Sequence, residues 1–149
     1  MIYVFLANGF EEVEALTPVD VLRRLGCEVK TVGVGGREIT GSHGVTVKAD
    51  LEEKDFLSDG VEMVVLPGGM PGTLNLENSP IVRAAVEAAA KDGVWVAAIC
   101  AAPSVLGHLG LLKGRTATCY PGFEQELTGA QVTGAPVEVS ENFITGRGA

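Results

Sequence analysis

The sequence predicts an α/β fold, namely one doubly wound, mostly parallel sheet with helices on both faces. Short apolar runs of strand length recur along the chain, most of them without polar interruptions, as strands covered on both faces require. Helical patterns lie between these runs. A length of 149 residues suits one domain with a sizeable core, and we find no repeat, low-complexity tract or linker. We therefore predict a single domain over residues 1–149.

The elements follow from apolar spacing and punctuation. The predicted strands are Ile2 to Leu6, Val29 to Val34, Met63 to Leu66, Val94 to Ile99, Thr116 to Thr118 and Phe143 to Thr145. One helix runs from Glu12 to Leu25, where Pro18 should kink it or mark a short first turn. Another covers Ile81 to Lys91 and is opened by Ser79-Pro80. Glu38 to Thr40 and Val45 to Lys48 predict a small β-hairpin insertion.

The chain ends in a strand that runs into a glycine-rich turn, Gly146-Arg147-Gly148-Ala149. Such a turn normally leads to another element. We therefore expect the chain to be cut short before a final helix. Apolar sheet surface would then need a further segment, another chain or an oligomer to cover it.

Composition excludes several classes of function. A net charge of -8 with only 11 Lys and Arg disfavours nucleic acid and anionic membranes as partners. No apolar stretch approaches membrane-spanning length, and no basic segment precedes the first strand, so we expect a cytoplasmic protein. Three cysteines without Cys-x-x-Cys spacing and two histidines supply a zinc site poorly, so we expect free thiols and no metal or cofactor.

Cys100 is the first candidate for chemistry. It ends the apolar run from Val94 to Ile99 and begins a stretch of small residues that can open a helix. A strand-to-helix turn lifts the thiol clear of the sheet, and the helix N-terminus favours the reactive thiolate, as in a nucleophile elbow. The alternative is that Cys100 is a small buried hydrophobe, the usual role of a free cysteine.

Two other segments should meet Cys100 at the carboxyl edge of the sheet, where ligands bind in open parallel sheets. Glu14 follows the first strand, and we expect its carboxyl to be partly buried, to reach Cys100 and to share one proton with it. For Glu11 and Glu12 we favour a solvated face that interacts with the helix dipole. Gly68-Gly69 is either a tight loop or the source of a Gly69 N–H that, with the Ala101 N–H, forms an oxyanion pocket.

Together these segments resemble the ThiJ/PfpI superfamily, in its parkinsonism-associated deglycase and glyoxalase branch. The resemblance covers essentially the whole chain and rests on Asn8-Gly9-Phe10-Glu11-Glu12-Val13-Glu14, Pro18 to Arg24, Val64 to Gly69 and Ala97 to Pro103. It implies a flavodoxin-like sandwich, a homodimer, Cys100 as nucleophile and Glu14 as the acid that hydrogen-bonds it. It also implies that the N–H groups of Gly69 and Ala101 face the substrate oxygen.

The chain departs from its relatives at three places. Proteases of the superfamily carry a histidine just after the nucleophile, where this chain has Ala101, so a Cys-His protease is disfavoured. Some relatives place a histidine opposite the thiol where this chain has Tyr120, which puts a histidine base in doubt and makes Tyr120 a candidate substrate contact. Relatives also continue past Ala149 into a C-terminal helix.

The remaining candidates carry weaker signals. We interpret His108 as a surface or packed residue of the helix after Cys100 rather than a base. His43 lies on the hairpin, which relatives bring near the site or the dimer interface; it is either a plain loop residue or a substrate contact. Cys119 either pairs with Cys100 on oxidation or simply packs, and Cys27 reads as a buried residue between helix and strand.

Two functions compete. In the first, Cys100 adds to methylglyoxal-type 2-oxoaldehydes in a cofactor-independent glyoxalase III-like lyase or deglycase-type hydrolase. In the second, a redox-sensing or chaperone-like stress protein carries an oxidisable Cys100 and has no turnover. A third role, in thiazole phosphate synthesis, lacks a phosphate cradle, because Pro67-Gly68-Gly69 has no accompanying lysine and Ser/Thr.

Overall fold

The computed structural model describes residues 1–149 and confirms the predicted architecture. The strands are β1 (Ile2–Leu6), β2 (Val29–Gly33), β3 (Glu38–Thr40), β4 (Thr46–Lys48), β5 (Leu51–Glu52), β6 (Met63–Leu66), β7 (Trp95–Ile99), β8 (Thr116–Ala117), β9 (Gln131–Val132), β10 (Val137–Ser140) and β11 (Phe143–Gly146). The helices are α1 (Glu12–Arg24), α2 (Gly72–Glu77), α3 (Pro80–Lys91) and α4 (Pro103–His108), with 3₁₀ turns at Glu53–Asp55 and Glu124–Glu126.

Seven strands form the central sheet in the order β10-β11-β7-β6-β1-β2-β5. All neighbours run parallel except β10 and β11, which are antiparallel. The chain reverses its direction of progress across the sheet at β1, which lies between β2 and β6. The loops after β1, β6 and β7 therefore leave the same edge of neighbouring strands, where a ligand site is expected.

Alternation along β1 divides the core into two layers. Tyr3 and Phe5 belong to the larger apolar cluster, which also contains Leu76 of α2, Val86 of α3 and Leu106 of α4. Ile2, Val4 and Leu6 point the other way and pack with Val19 of α1. Because successive strand side chains face opposite sides of the sheet, this division places helices on both faces, as predicted.

Most predicted boundaries agree with the structure to within one residue, and the β3–β4 hairpin is present. Pro18 neither ends α1 nor shortens it, because the buried side chains of α1 hold the helix on the sheet on both sides of the proline. Thr116 and Ala117 lie in a separate pair with β9 rather than in the central sheet. The short elements α2, β5 and β10 were not predicted, because two to six residues give little periodicity.

Beside α1, an apolar groove crosses the sheet. It is lined by Pro18 and Leu22 of α1 together with Met63, Val65, Ala97 and Ile144 of three neighbouring strands.

None of the four helices has the length and apolar character needed to cross a bilayer.

Candidate active site

Cys100 stands at a strained turn between β7 and α4. Its φ of 66° lies in the left-handed region that non-glycine residues rarely adopt. The turn is held from two sides, since the Cys100 N–H donates to the Gly146 carbonyl at 2.9 Å and its carbonyl accepts from the Tyr120 N–H at 2.9 Å. Residues held in such conformations cluster at functional sites. The predicted elbow geometry is therefore present.

Glu14 lies against the thiol in a buried position. Its side chain is part of the first turn of α1, only 5% of the residue is exposed, and the carboxyl hydrogen-bonds the Cys100 thiol. The Gly68 N–H donates to Oε2 at 3.0 Å and the Ala149 N–H to Oε1 at 3.2 Å. Each carboxyl oxygen thus has a backbone donor, and the group is fixed in orientation beside the sulfur.

The surroundings of Cys100 shift its thiol pKa in opposite directions. Burial, followed by the negative charge of Glu14 and its hydrogen bond, raises the pKa of the Cys100 thiol to about 11, while N–H groups of Ala101 and Gly69 act in the opposite direction. Burial and the charge of Glu14 thus oppose the helix N-terminus from which a reactive thiolate was expected, and α4 begins only at Pro103. The expected sharing of one proton between Glu14 and Cys100 stays a prediction.

Gly68 and Gly69 form the second wall of the site. Gly69 has a φ of 94°, and a Cβ there would lie 2.4 Å from the Glu11 nitrogen. At Gly68 a Cβ would lie 2.5 Å from Glu14 Oε2 and 2.6 Å from Cys100 Cβ. Both positions therefore exclude any larger residue.

The two glycines use their N–H groups differently. The Gly69 N–H faces the Cys100 sulfur together with that of Ala101. Their role as an oxyanion pocket stays a prediction. The Gly68 N–H is engaged by Glu14. Gly68, which we expected beside Gly69 among the oxyanion or substrate-binding residues, therefore uses its N–H to orient the acid.

The turn after β11 forms a third wall of the site. From the sequence we expected this turn only to precede a further helix. A Cβ at Gly148 would lie 3.5 Å from Cys100 Sγ and 3.1 Å from Cδ1 of Tyr120, which is 46% exposed. The Arg147 N–H holds this turn by donating to the Pro136 carbonyl at 2.9 Å. The available signal was positional: this turn leaves the carboxyl end of β11, the parallel neighbour of β7.

His43 is engaged outside this group. Its ring lies 3.1 Å from Glu12 and 3.5 Å from Glu11, and its hydrogen bonds are with Glu12 and Ser42 rather than with Cys100 or Glu14. The side chain of Glu12 is only 11% exposed and accepts from the N–H groups of His43 and Val45, so our expectation of a solvated Glu12 is wrong. Glu11 caps α1 by accepting from the Glu14 N–H.

Glu11, Glu12 and His43 are also spaced closely enough to ligate a metal ion together. One ligand atom from each of Glu11, Glu12 and His43 lies within 4.8 Å of the others. The carboxylate of Glu12 is already occupied by donors from the hairpin. The cluster is therefore accounted for as the anchor of the β3–β4 hairpin on α1.

Three other residues were singled out from the sequence, namely His108, Cys119 and Cys27. His108 ends α4 and bonds Glu77 and Glu126, in agreement with a surface position rather than a base. Cys119 is a buried free thiol whose pKa is raised to about 11, first by burial and then by Glu124. Cys27 is also a free thiol and is only partly buried.

Comparison with known proteins agrees with the fold. The DJ-1/PfpI family model matches residues 1–149. The chain belongs to this family. A solved structure agrees with this assignment. Toxoplasma gondii DJ-1 in its oxidized form superposes with a TM-score of 0.94 at 34% sequence identity, and the match covers 99% of this chain and 81% of that one.

Two relatives of different length illustrate the range. A protein named as a deglycase from Pyrococcus abyssi is 36% identical over 152 residues, which is 98% of this chain and 89% of the relative. Protein DJ-1 homolog B of Arabidopsis thaliana is 36% identical over 146 residues, 96% of this chain. The chain spans 33% of the length of that plant protein. The family predicted from the sequence is thus confirmed.

Proposed function

We propose that this protein is a cofactor-independent deglycase-type enzyme that acts on methylglyoxal-type 2-oxoaldehydes, or on their adducts, through Cys100. The observation that carries the proposal is the convergence of the Glu14 carboxyl and two backbone N–H groups on one half-buried sulfur. A nucleophile, an acid–base group and oxyanion donors within hydrogen-bond reach of one another are the parts that addition to a carbonyl needs.

The first step is addition of the thiol to the aldehyde. The sulfur forms a bond to the aldehyde carbon, and the thiol proton passes to the Glu14 carboxylate. The carbonyl oxygen becomes an oxyanion next to the N–H groups of Gly69 and Ala101, which stabilise it. Glu14 then returns the proton to this oxygen, which gives a neutral hemithioacetal and restores the carboxylate.

The second step moves hydrogen between neighbouring carbons. Glu14 removes the C–H proton of the hemithioacetal carbon to give an enediolate and delivers this proton to the adjacent carbon, while the hydroxyl proton moves to the neighbouring oxygen, which yields a thioester of the 2-hydroxy acid. Water hydrolyses the thioester and restores the Cys100 thiol. The net reaction adds one water to methylglyoxal and releases lactate. Loss of aldehyde adducts from thiols or amines follows when the free aldehyde is consumed.

Other side chains have supporting places in this proposal. Ala101 offers no imidazole, so Glu14 is the proton carrier in reach of the thiol. Tyr120 and Gly148 border the sulfur and would contact the substrate chain. We leave His43 out of the proposed site because its ring is bonded to Glu12. The name of the Pyrococcus abyssi relative as a deglycase supports this class of reaction.

The test is lactate formation from methylglyoxal without glutathione or metal. We expect turnover by the natural protein and none by Cys100→Ser. Cys119→Ser and Cys27→Ser are the matched controls and should retain activity. A Cys100→Ser variant that still makes lactate would overturn the proposal. Light scattering on the same samples tests the homodimer that the family resemblance implies.

A second candidate, a stress protein with an oxidisable cysteine, is favoured by the same N–H groups, because they could equally hold the oxygens of a Cys100 sulfinate. Graded peroxide followed by mass spectrometry tests it. Selective gain of two oxygens at Cys100, in a folded protein that makes no lactate, would support this role. Equal oxidation of all three cysteines would remove its basis.

A further inference from the structure

His108 joins three segments at the side of the molecule away from the thiol. It is the last residue of α4, and its Nδ1 hydrogen-bonds Oε1 of Glu77, the last residue of α2. Its Nε2 lies 2.7 Å from Oε2 of Glu126, which ends the 3₁₀ turn Glu124–Glu126. One imidazole ring therefore links the ends of three separate elements.

Each of these elements begins at a wall of the candidate site. The carbonyl of Gly69 accepts from the N–H and hydroxyl of Thr73 in α2. The carbonyl of Ala101 accepts from the N–H and hydroxyl of Ser104 in α4. The turn Glu124–Glu126 follows Tyr120, whose carbonyl accepts from the Phe123 N–H. The ring is thus connected to both oxyanion donors and to Tyr120 through short, hydrogen-bonded segments.

These segments need tertiary contacts to hold their shape. Helices α2 and α4 have six residues each, about 9 Å of length, which is too short for stability in isolation. At Gly107 the backbone of α4 lies directly on the turn, since a Cβ there would meet the Glu126 carbonyl oxygen at 2.1 Å. This close approach brings His108 within reach of Glu126.

The bonding pattern defines the charge of the ring. Ionised carboxylates accept hydrogen bonds and donate none, so both ring nitrogens must carry a proton. Hydrogen bonds with Glu126 and then with Glu77 raise the pKa of His108. The charged groups that face the ring are these two carboxylates; Arg83 of α3 bonds the backbone carbonyl of Glu77, and β7 carries no titratable side chain.

We propose that the His108 imidazolium is a positioning residue that keeps the Gly69 loop, the Cys100 elbow and the Tyr120 loop in register for the reaction proposed above. It touches no reacting atom and acts through Glu77 and Glu126. Because its folded pKa is raised, the stabilisation from the charged ring is fully present below the unfolded pKa of about 6.5, while the carboxylates stay ionised, and is lost as pH rises through the folded value. Reactivity that depends on the register should be lost in the same window.

The experiment measures two rates against pH, methylglyoxal turnover and Cys100 alkylation by iodoacetamide, for the natural protein, His108→Gln and His108→Lys. Lysine keeps a cation at this place across the window, whereas glutamine has none. We expect the natural protein to exceed His108→Gln by about tenfold near neutral pH, since small misplacements at a site cost this much or more. The ratio should approach one where His108 is neutral. His108→Lys should match the natural protein near neutral pH and exceed it in alkaline solution.

A ratio to His108→Gln that stays constant with pH would overturn the proposal, since it would indicate a merely structural loss. Equal rates in His108→Gln and His108→Lys at every pH would also overturn it. Glu126→Gln should reproduce the His108→Gln profile, and Glu87→Gln, an exposed carboxyl on α3, is the matched control. The alkylation rate does not require turnover. It therefore tests the positioning role even if the proposed reaction fails, and near-UV circular dichroism confirms that each variant is folded.

Discussion

Replacement of Glu14 by glutamine should change alkylation and turnover in opposite directions. The substitution keeps the shape of the side chain and removes its charge. The Cys100 thiol pKa lies at about 11 instead of 9.0, with burial the largest cause and Glu14 the next. Loss of the Glu14 charge should lower this pKa, and a fall by one pKa unit multiplies the thiolate fraction below the pKa by about tenfold. Alkylation of Cys100 by iodoacetamide at pH 8 should accelerate by about this factor.

Turnover by Glu14→Gln should fall by about 100-fold or more, because an amide cannot carry the proton between carbons. The variant also loses one of the two backbone hydrogen bonds to the carboxyl, since its NH₂ group must face either Gly68 or Ala149. That loss costs about 1 kcal/mol of unfolding free energy, which urea titration measures.

Glu87→Gln is the control for charge alone, and Cys100→Ser identifies the alkylated residue by mass spectrometry. Unfolding would also expose the thiol and abolish turnover, so near-UV circular dichroism must show that Glu14→Gln is folded under the assay conditions. Alkylation that is unchanged or slower in Glu14→Gln would refute the electrostatic reasoning. Undiminished turnover would refute the role of Glu14 as proton carrier.

Three further predictions concern packing and charge. Gly148→Ala places a methyl group 3.5 Å from Cys100 Sγ on a backbone with a φ of 137°. Both kcat/KM and the rate of Cys100 alkylation should therefore decrease. Unchanged rates would show that the turn at Gly148 is not part of the site. Gly107→Ala should destabilise the fold by about 1–3 kcal/mol in urea titration, because its Cβ meets the rigid backbone of Glu126. Asp50 accepts from Thr31 and Arg23, and although burial raises the pKa of its carboxyl, these bonds lower it overall. Its contribution to stability is therefore present above the unfolded pKa of about 3.9 and lost as pH falls through the folded value, so Asp50→Asn should be less stable at pH 7 and nearly equal to the natural protein near pH 2.

The parts of the fold predicted from the sequence are those with a strong local pattern. The apolar strands β1, β6 and β7 and the capped helix α3 have such patterns, and their order determines which loops share an edge. Glu14 and Cys100 were predicted to meet because each follows a strand that ends at this edge. The resemblance to a known family supported the same pair.

What could not be predicted depends on contacts between residues distant in sequence. The Gly68 N–H is taken by Glu14, 54 positions earlier, and the Ala149 N–H reaches the same carboxyl from 135 positions away. Neither contact leaves a trace in spacing or periodicity. The raised Cys100 pKa also depends on the packed site, because burial and the charge of Glu14 cause it. The ring of His108 likewise finds its partners only after α2, α4 and the turn Glu124–Glu126 come together.

The position of one proton distinguishes the two candidate functions. Burial and the charge of Glu14 raise the Cys100 pKa, which disfavours a bare thiolate as the reacting species. Peroxide reacts with thiolate, and a protonated sulfur therefore oxidises slowly. An aldehyde differs, because its addition can be coupled to transfer of the thiol proton to the adjacent carboxylate, and the new oxyanion meets the N–H groups of Gly69 and Ala101. The arrangement is thus suited to a carbonyl substrate, which is why we favour turnover over redox sensing.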